Sequence, residues 1–368
     1  MKKIKNIFTD ISIIFFIFFF LTFFINIASY VVIKIYKDNL PPPMVQGYGD
    51  QLEKKLDGAY PGLNFSDIKD IYEDFENMPL EFENYSMFTE KKNYKSKYLN
   101  ISIEGFREIK NQEPINTNKK KIFIFGSSPT FGYNLRDEDT IASHLQEIVG
   151  KEYAVFNFAR GYYYSRQQLS LLINLVNDQN LIPDYVIFVN NHANERGLIG
   201  PNTSDGAYKK IAVNDKRLHL REFLPFIKIM QFILKKFQLS DHELAMKNSK
   251  KFTAEEDIDY FMRTNELVKK FCDFYNIEFY SFYAPAYGYK YKNFENDPLT
   301  RDNSVYDAKS TKMFEIIDNK FNNKEMPEYF FNLLELGQEE GRLYVDTAHY
   351  SSKMSKLIAN RIDKILNK

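Results

Sequence analysis

The chain has 368 residues, of which 44% are hydrophobic and 27% are charged, so it can bury a sizeable core and is not composed like a disordered chain. Its 49 basic and 49 acidic side chains give a formal net charge of zero. That balance argues against a nucleic-acid-binding protein, which usually carries a basic surplus. The single cysteine, Cys272, excludes an intramolecular disulfide framework and a cysteine-rich zinc site.

An uncharged apolar segment, residues 11–33, lies close to the N-terminus. As a helix it is long enough to cross a hydrocarbon core of about 30 Å. A cleaved signal peptide has a shorter apolar stretch, about 7–15 residues, and ends at a small-residue cleavage site, which residues 27–29 (IAS) resemble poorly. A buried core helix is disfavoured because no polar face interrupts the run. We therefore expect a retained anchor that binds the membrane.

Lysines flank this segment on both sides, with three before it and two after it: Lys2, Lys3, Lys5, Lys34 and Lys37. The positive-inside rule therefore favours a cytoplasmic N-terminus, with the rest of the chain outside the cytoplasmic membrane. Every later apolar stretch is short or amphipathic. We expect a single-pass protein with a tail and anchor (1–37), a stalk or accessory region (38–116) and a globular domain (117–368).

From residue 117 onward, short apolar runs alternate with amphipathic helical patterns. The predicted strands cover residues 121–125, 153–158, 185–189 and 277–283, and the predicted helices cover residues 140–149, 167–176, 253–275 and 352–366. Such alternation predicts an α/β fold with a parallel sheet covered on both faces. In such sheets a functional site lies at the carboxyl ends of the strands.

Three further segments complete the prediction. Upstream of the alternating region, a helix is predicted over residues 68–75 and a strand near residues 98–103. Residues 199–251 break the alternation and are predicted to form an insertion, with an amphipathic helix over residues 223–237. That helix could cover a site or simply pack against the core, and packing is slightly favoured.

Residues 126–132 (GSSPTFG) directly follow the first strand of the alternating region. A serine at a strand-to-helix turn has an exposed hydroxyl group and neighbouring backbone N–H groups that can bind an oxyanion. The segment lacks the phosphate-loop pattern, and Thr130 replaces the last glycine of the Gly-x-Ser-x-Gly elbow. A plain polar turn is the alternative interpretation.

Asp346 and His349 stand just before the last predicted helix. A serine hydroxyl is a weak nucleophile that needs a base, normally a histidine held by a carboxylate, and a separation of three residues lets the two side chains meet. The remaining histidines singled out, His144, His219 and His242, are interpreted as ordinary surface or insertion residues.

Together, these segments resemble the sequence blocks of the SGNH (GDSL-like) hydrolases. The first block of that family, a glycine, a variable residue and the nucleophilic serine, resembles residues 126–132 and implies that Ser128 is the nucleophile. The last block, Asp-x-x-His before a helix, resembles Asp346 and His349. The resemblance covers about residues 117–368.

The two middle blocks imply the oxyanion hole. Residues 157–165 (NFARGYYYS) resemble the second block, in which the N–H of Gly161 would be a donor, with the N–H of Tyr162 as the alternative. Residues 190–195 (NNHANE) resemble the third, in which the Asn194 side chain would be a donor, with Asn191 as second choice. This block lacks the usual glycine and is one residue longer than the common spacing, which leaves an inactive member of the family open.

The resemblance implies a three-layer α/β/α fold of flavodoxin-like type and hydrolysis of an acyl or acetyl ester by Ser-His-Asp catalysis, with no cofactor and no metal. The substrate would be an ester-bearing small molecule, lipid or glycan, and no nucleic acid is expected as a partner. Two alternatives stay open. One is an O-acetyltransferase acting on cell-envelope polysaccharide, and the other is a non-catalytic envelope or glycan-binding protein.

Overall fold

The computed structural model describes residues 2–39, 53, 56–191, 252–297, 299 and 308–367. The chain divides into two compact units, one containing the N-terminal helix and the other containing the central sheet. The predicted insertion at 199–251 and its helix at 223–237 lie outside the described residues.

The N-terminal helix α1 covers Lys2–Asn39. Within it, Thr9–Ile35 has a mean hydropathy of 2.6, and most of its large apolar side chains are exposed. Among the described residues, this is the one helix whose length and composition would let it cross a membrane. A signal sequence near an N-terminus can meet the same criteria of length and composition.

The sheet-containing unit begins with a helix and a small hairpin. Helix α2 covers Phe65–Asn77 and is capped by the Asn64 side chain, which accepts the N–H of Asp67. Strands β1 (Leu80–Glu83) and β2 (Met87–Glu90) pair antiparallel to form the hairpin. All described residues from 56 onward belong to the same compact unit as the central sheet.

Five parallel strands form the central sheet: β3 (Lys120–Gly126), β4 (Tyr153–Asn157), β5 (Tyr185–Asn190), β6 (Glu278–Tyr283) and β7 (Phe330–Asn332). Their spatial order is β4-β3-β5-β6-β7. Residues 122–126 of β3 are completely buried, because a central parallel strand is covered on both faces. After β3, the chain adds β4 on one side of β3 and then β5 on its other side. In parallel sheets, such a reversal of strand order places a crevice at the carboxyl ends of the two strands concerned, here β3 and β5.

Six α-helices follow in the described part of the same unit: α3 (Ser128–Phe131), α4 (Ile141–Val149), α5 (Ser165–Ile173), α6 (Ala254–Phe274), α7 (Ala308–Asn322) and α8 (Ser352–Leu366). Helices α5 and α6 bury Leu172 and Val268 against Phe123 and Phe188 of the sheet. Helices α4 and α8 pack against each other, and α4 contacts β4. The structure is a parallel sheet flanked by helices, which confirms the predicted α/β class.

The predicted strand near residues 98–103 was wrong. This segment makes only isolated bridges, such as Ile101 with Arg107, because tight turns redirect the chain every few residues. One of these turns places Gly105 at a φ of 93° and closes with the Gly105 N–H donating to the carbonyl of Ser102. Strand β7 and helix α7 were not predicted.

Candidate active site

The turn after β3 presents Ser128 at the first position of the one-turn helix α3. A Cβ atom on Gly126 would lie 2.5 Å from the Thr130 side chain and 2.5 Å from the carbonyl oxygen of Val189. Only glycine leaves this space open, and through it the Thr130 hydroxyl donates to the Val189 carbonyl at 2.7 Å. The serine turn is thereby fastened to the carboxyl end of β5.

Ser128, His349 and Asp346 lie in hydrogen-bonded series. The Nε2 atom of His349 is 3.0 Å from the Oγ atom of Ser128, and its Nδ1 atom is 2.7 Å from an Oδ2 atom of Asp346. The structure thus brings together three residues that are separated by up to 221 positions in the chain. Asp346 and His349 keep 14% and 18% of their side-chain surface, so the series is accessible at the edge of the domain.

The Asp346 carboxylate is held by several donors. Its Oδ1 atom accepts the backbone N–H groups of Ala348 and His349, both at 2.8 Å, and its Oδ2 atom also accepts the Asn134 amide at 2.8 Å. Burial alone would raise the pKa of Asp346, but the positive charge and hydrogen bond of His349 and the two backbone donors outweigh it, so this pKa lies below its ordinary value. The carboxylate is therefore ionised at neutral pH and can stabilise an imidazolium.

The His349 ring is also restrained by an aromatic neighbour. The ring of Tyr133 stacks on it, with a centroid distance of 5.4 Å and an interplanar angle of 21°. Tyr133 is itself buried, and this burial raises the pKa of its hydroxyl group well above the ordinary value. The imidazole is thus fixed by a hydrogen bond at one ring edge and by packing on one face.

A buried arginine organises the loop that follows Ser128. The guanidinium group of Arg107 donates to the carbonyl oxygens of Phe131, Gly132 and Leu135 and to the carboxylate of Asp137. Arg107 is fully buried, and its planar fork of donors binds three carbonyl groups at once. This loop places Tyr133 and Asn134 next to the series formed by Ser128, His349 and Asp346.

The predicted oxyanion donor Gly161 has its N–H already in use. It donates to an Oε1 atom of Glu90 at 2.9 Å, and the other carboxylate oxygen lies 3.5 Å from the Arg160 guanidinium. Burial raises the pKa of Glu90, although Arg160 and the Gly161 N–H act in the opposite direction. The left-handed conformation falls on the next residue, Tyr162, with a φ of 63°, and the N–H of Tyr162 makes no hydrogen bond within the described part of the chain.

The third predicted block is described only at its start. Asn190 ends β5, and its side chain exchanges hydrogen bonds with the side chain of Gln168. Asn191, the second choice for a donor, is buried beside it. Asn194, the first choice, lies outside the described residues. In the described ranges, no group of three or more His, Cys, Asp or Glu side chains could hold a metal ion.

Several residues around the site carried no signal in the sequence. Arg107, Tyr133, Asn134 and Glu90 reach the site only through long-range contacts, which no local spacing announces. His144 differs from its predicted surface placement: it is half-buried, and its Nε2 atom lies 3.1 Å from the Ser352 hydroxyl at the start of α8.

No protein-family model matches the sequence, and no curated protein matches it. Solved structures with a similar chain arrangement include one from Desulfitobacterium hafniense DCB-2, described as a lipolytic protein of the G-D-S-L family (13% identical, 67% of this chain and 99% of that chain covered, TM-score 0.36). Others are the lipase/acylhydrolase from Enterococcus faecalis (13%, 67% and 95%, TM-score 0.36) and the esterase EstA from Pseudoalteromonas sp. (14%, 68% and 100%, TM-score 0.36).

At these identities and TM-scores, the likeness carries no evidence about the chemistry of the site.

Proposed function

We propose that the protein is a serine esterase that hydrolyses an acyl or acetyl ester. One observation carries this proposal: Ser128, His349 and Asp346 form a continuous hydrogen-bonded series, with distances of 3.0 Å and 2.7 Å, at the carboxyl end of a central parallel strand. A serine, a base and an orienting carboxylate in this order are the parts that acyl transfer to a hydroxyl group requires.

In the proposed mechanism, the Ser128 Oγ atom attacks the ester carbonyl carbon while the His349 Nε2 atom takes the hydroxyl proton. Asp346 keeps the Nδ1–H of His349 directed away from Ser128 and stabilises the imidazolium that forms. The tetrahedral intermediate collapses, and His349 returns the proton to the leaving alkoxide, which departs as an alcohol. Water, deprotonated by His349, then attacks the acyl carbon on Ser128. The bond between that carbon and Ser128 Oγ breaks, His349 returns the proton to Oγ, and a carboxylic acid is released.

For the oxyanion hole we propose the N–H groups of Ser128 and Tyr162, with the side-chain amide of Asn194 as a third donor. The N–H of Gly161 is engaged by Glu90, which favours the following N–H as the donor from this segment. The Ser128 N–H belongs to the first turn of α3 and makes no hydrogen bond within the described residues. Each donor in such a site contributes about 3 kcal/mol to lowering the barrier.

We further propose that α1 is a retained anchor and that the sheet-containing unit faces away from the cytoplasm, where ester-bearing lipids or glycans are within reach. The apolar helix and the lysines that flank it support this placement. Protease added to intact spheroplasts should then degrade the sheet-containing unit. Protection until the cells are lysed would place that unit in the cytoplasm.

The activity is tested with the full-length protein in detergent and p-nitrophenyl acetate as substrate. The wild-type protein should release p-nitrophenol, and Ser128→Ala should abolish turnover while thermal unfolding stays unchanged. The neighbouring Ser127→Ala is the matched control and should retain activity, because the Ser127 hydroxyl lies outside the series. Equal turnover by Ser128→Ala and wild type would reject the proposal. Acetyl recovered on an added glycan instead of as acetate would identify a transferase.

A further inference from the structure

The carboxylate of Asp346 has a donor that comes from a distant part of the chain. Asn134, in the loop after α3, donates its side-chain amide to Asp346 Oδ2 at 2.8 Å. The same oxygen accepts the Nδ1–H of His349. Asn134 is 9% exposed and has a φ of 62°, a conformation that asparagine tolerates better than most residues.

Asn134 is in turn held by the segment that precedes the sheet. The hydroxyl group of Tyr60 donates to the backbone carbonyl of Asn134 at 2.9 Å, and Tyr60 is buried. The ring of Tyr72 meets the Tyr60 ring edge-on at 6.5 Å, and the Tyr72 hydroxyl donates to the carbonyl of Val345, next to Asp346. Two tyrosines from the upstream segment therefore contact both sides of the Asn134–Asp346 pair.

From this geometry we infer that Asn134 is a positioning residue for Asp346 and that Tyr60 positions Asn134. The inference rests on the proposed esterase function. The two backbone N–H groups fix only Oδ1 of the carboxylate, and the terminal torsion of an aspartate has a broad energy well. The Asn134 amide fixes Oδ2, the oxygen that faces His349, and so sets the direction in which the imidazole points.

Asn134→Gly is the informative variant, because glycine accepts a φ of 62° without strain and removes only the amide. Asn111→Gly is the matched control, since Asn111 has a φ of 60° and is exposed. In the full-length protein, Asn134→Gly should lower kcat for p-nitrophenyl acetate by roughly 10- to 100-fold, with little change in KM. Tyr60→Phe should lower kcat about fivefold in the same direction.

The outcomes separate the two claims. If Ser128-dependent turnover is present and Asn134→Gly matches Asn111→Gly in both kcat and KM, the inference is overturned and the proposed function stands. An unchanged kcat in Tyr60→Phe overturns the part that concerns Tyr60. If the wild-type protein shows no Ser128-dependent turnover, the proposed function fails and the inference fails with it. Should Asn134→Gly not fold, the kcat and KM of Tyr60→Phe decide.

Discussion

At the scale of single residues, Gly126 determines how closely the serine turn approaches β5. The space that a Cβ atom would fill is occupied by the Thr130 side chain and the Val189 carbonyl oxygen, both 2.5 Å away. Neither can retreat easily, since they are hydrogen-bonded to each other. A methyl group at this position has to displace the turn that carries Ser128.

Gly126→Ala should therefore cost about 3 kcal/mol of unfolding free energy, as overpacking in a buried site does. Gly150→Ala is a useful comparison, because Gly150 has a φ of 70° but no atoms within 4 Å of its Cβ position. Its cost should be about 1–3 kcal/mol, from backbone strain alone, because its ψ of −149° places it in a region that essentially only glycine adopts. Urea unfolding measures both costs, and a Gly126→Ala cost below about 1 kcal/mol would contradict a steric role for Gly126.

Asp346 leads to a prediction about pH. Its pKa in the folded protein lies below the value of about 3.9 for an unfolded chain, so the folded state binds fewer protons in this range. Its ionised form therefore stabilises the fold above about pH 4, and this stabilisation is lost as the pH falls through the folded pKa. Asp346→Asn should be less stable than wild type at pH 7, and the difference should shrink below about pH 4.

Urea titrations of wild type and Asp346→Asn at several pH values measure this difference. A difference in unfolding free energy that stays constant from pH 7 to pH 3 would contradict the lowered pKa.

The same variant should lose about 10³- to 10⁴-fold in kcat, because an asparagine favours the wrong tautomer of His349.

At the scale of elements, the loop between α3 and α4 depends on a side chain from outside the sheet. Arg107 donates to three carbonyl groups of this loop and pairs with Asp137, and the loop delivers Tyr133 and Asn134 to the triad. Asp137 is mostly buried, which raises its pKa although Arg107 acts against this. Removal of the guanidinium would take away the donor of the Leu135 carbonyl and would break the pair with Asp137.

Arg107→Met should destabilise the protein by about 3–5 kcal/mol, which is the usual cost of breaking one side of a buried ion pair. Arg107→Lys should recover only part of this loss, because an ammonium group cannot span three carbonyl groups with a planar fork. Thermal and urea unfolding measure both variants. Full stability in Arg107→Lys would show that charge alone is sufficient.

Local patterns predicted the elements whose causes are local. Helix α8 was predicted over residues 352–366 and covers Ser352–Leu366. The start of α6 also has a local cause, because Thr253 and Glu256 exchange hydrogen bonds in a capping box. Strand β7 has three residues, and its position depends on pairing with β6 and not on any pattern of its own, so no local signal could reveal it.

At the scale of the whole molecule, the contrast between local motifs and long-range contacts also decides which site residues could be predicted from the sequence. Ser128, Asp346 and His349 stand in short motifs next to predicted elements, and the structure brings them together. Asn134 and Tyr60 have no motif, because their contacts join positions 212 and 74 residues apart. We propose catalytic roles for the first three residues and positioning roles for Asn134 and Tyr60.

The upstream region illustrates the point further. Its composition suggested a stalk or accessory region, and composition does not reveal packing partners. In the structure, Glu90 engages Gly161, and Tyr60 engages Asn134. The described part of this region, which begins at residue 56, therefore contacts segments that carry the proposed site.

The central claim is that Ser128 is a nucleophile activated by His349. A fluorophosphonate probe tests it most directly, because such a probe reacts covalently with an activated serine and not with an ordinary one. In the full-length protein, mass spectrometry after proteolysis should locate one adduct on Ser128, and labelling should disappear in Ser128→Ala and fall steeply in His349→Ala. An unlabelled wild-type protein, or labelling that persists in Ser128→Ala, would contradict the account.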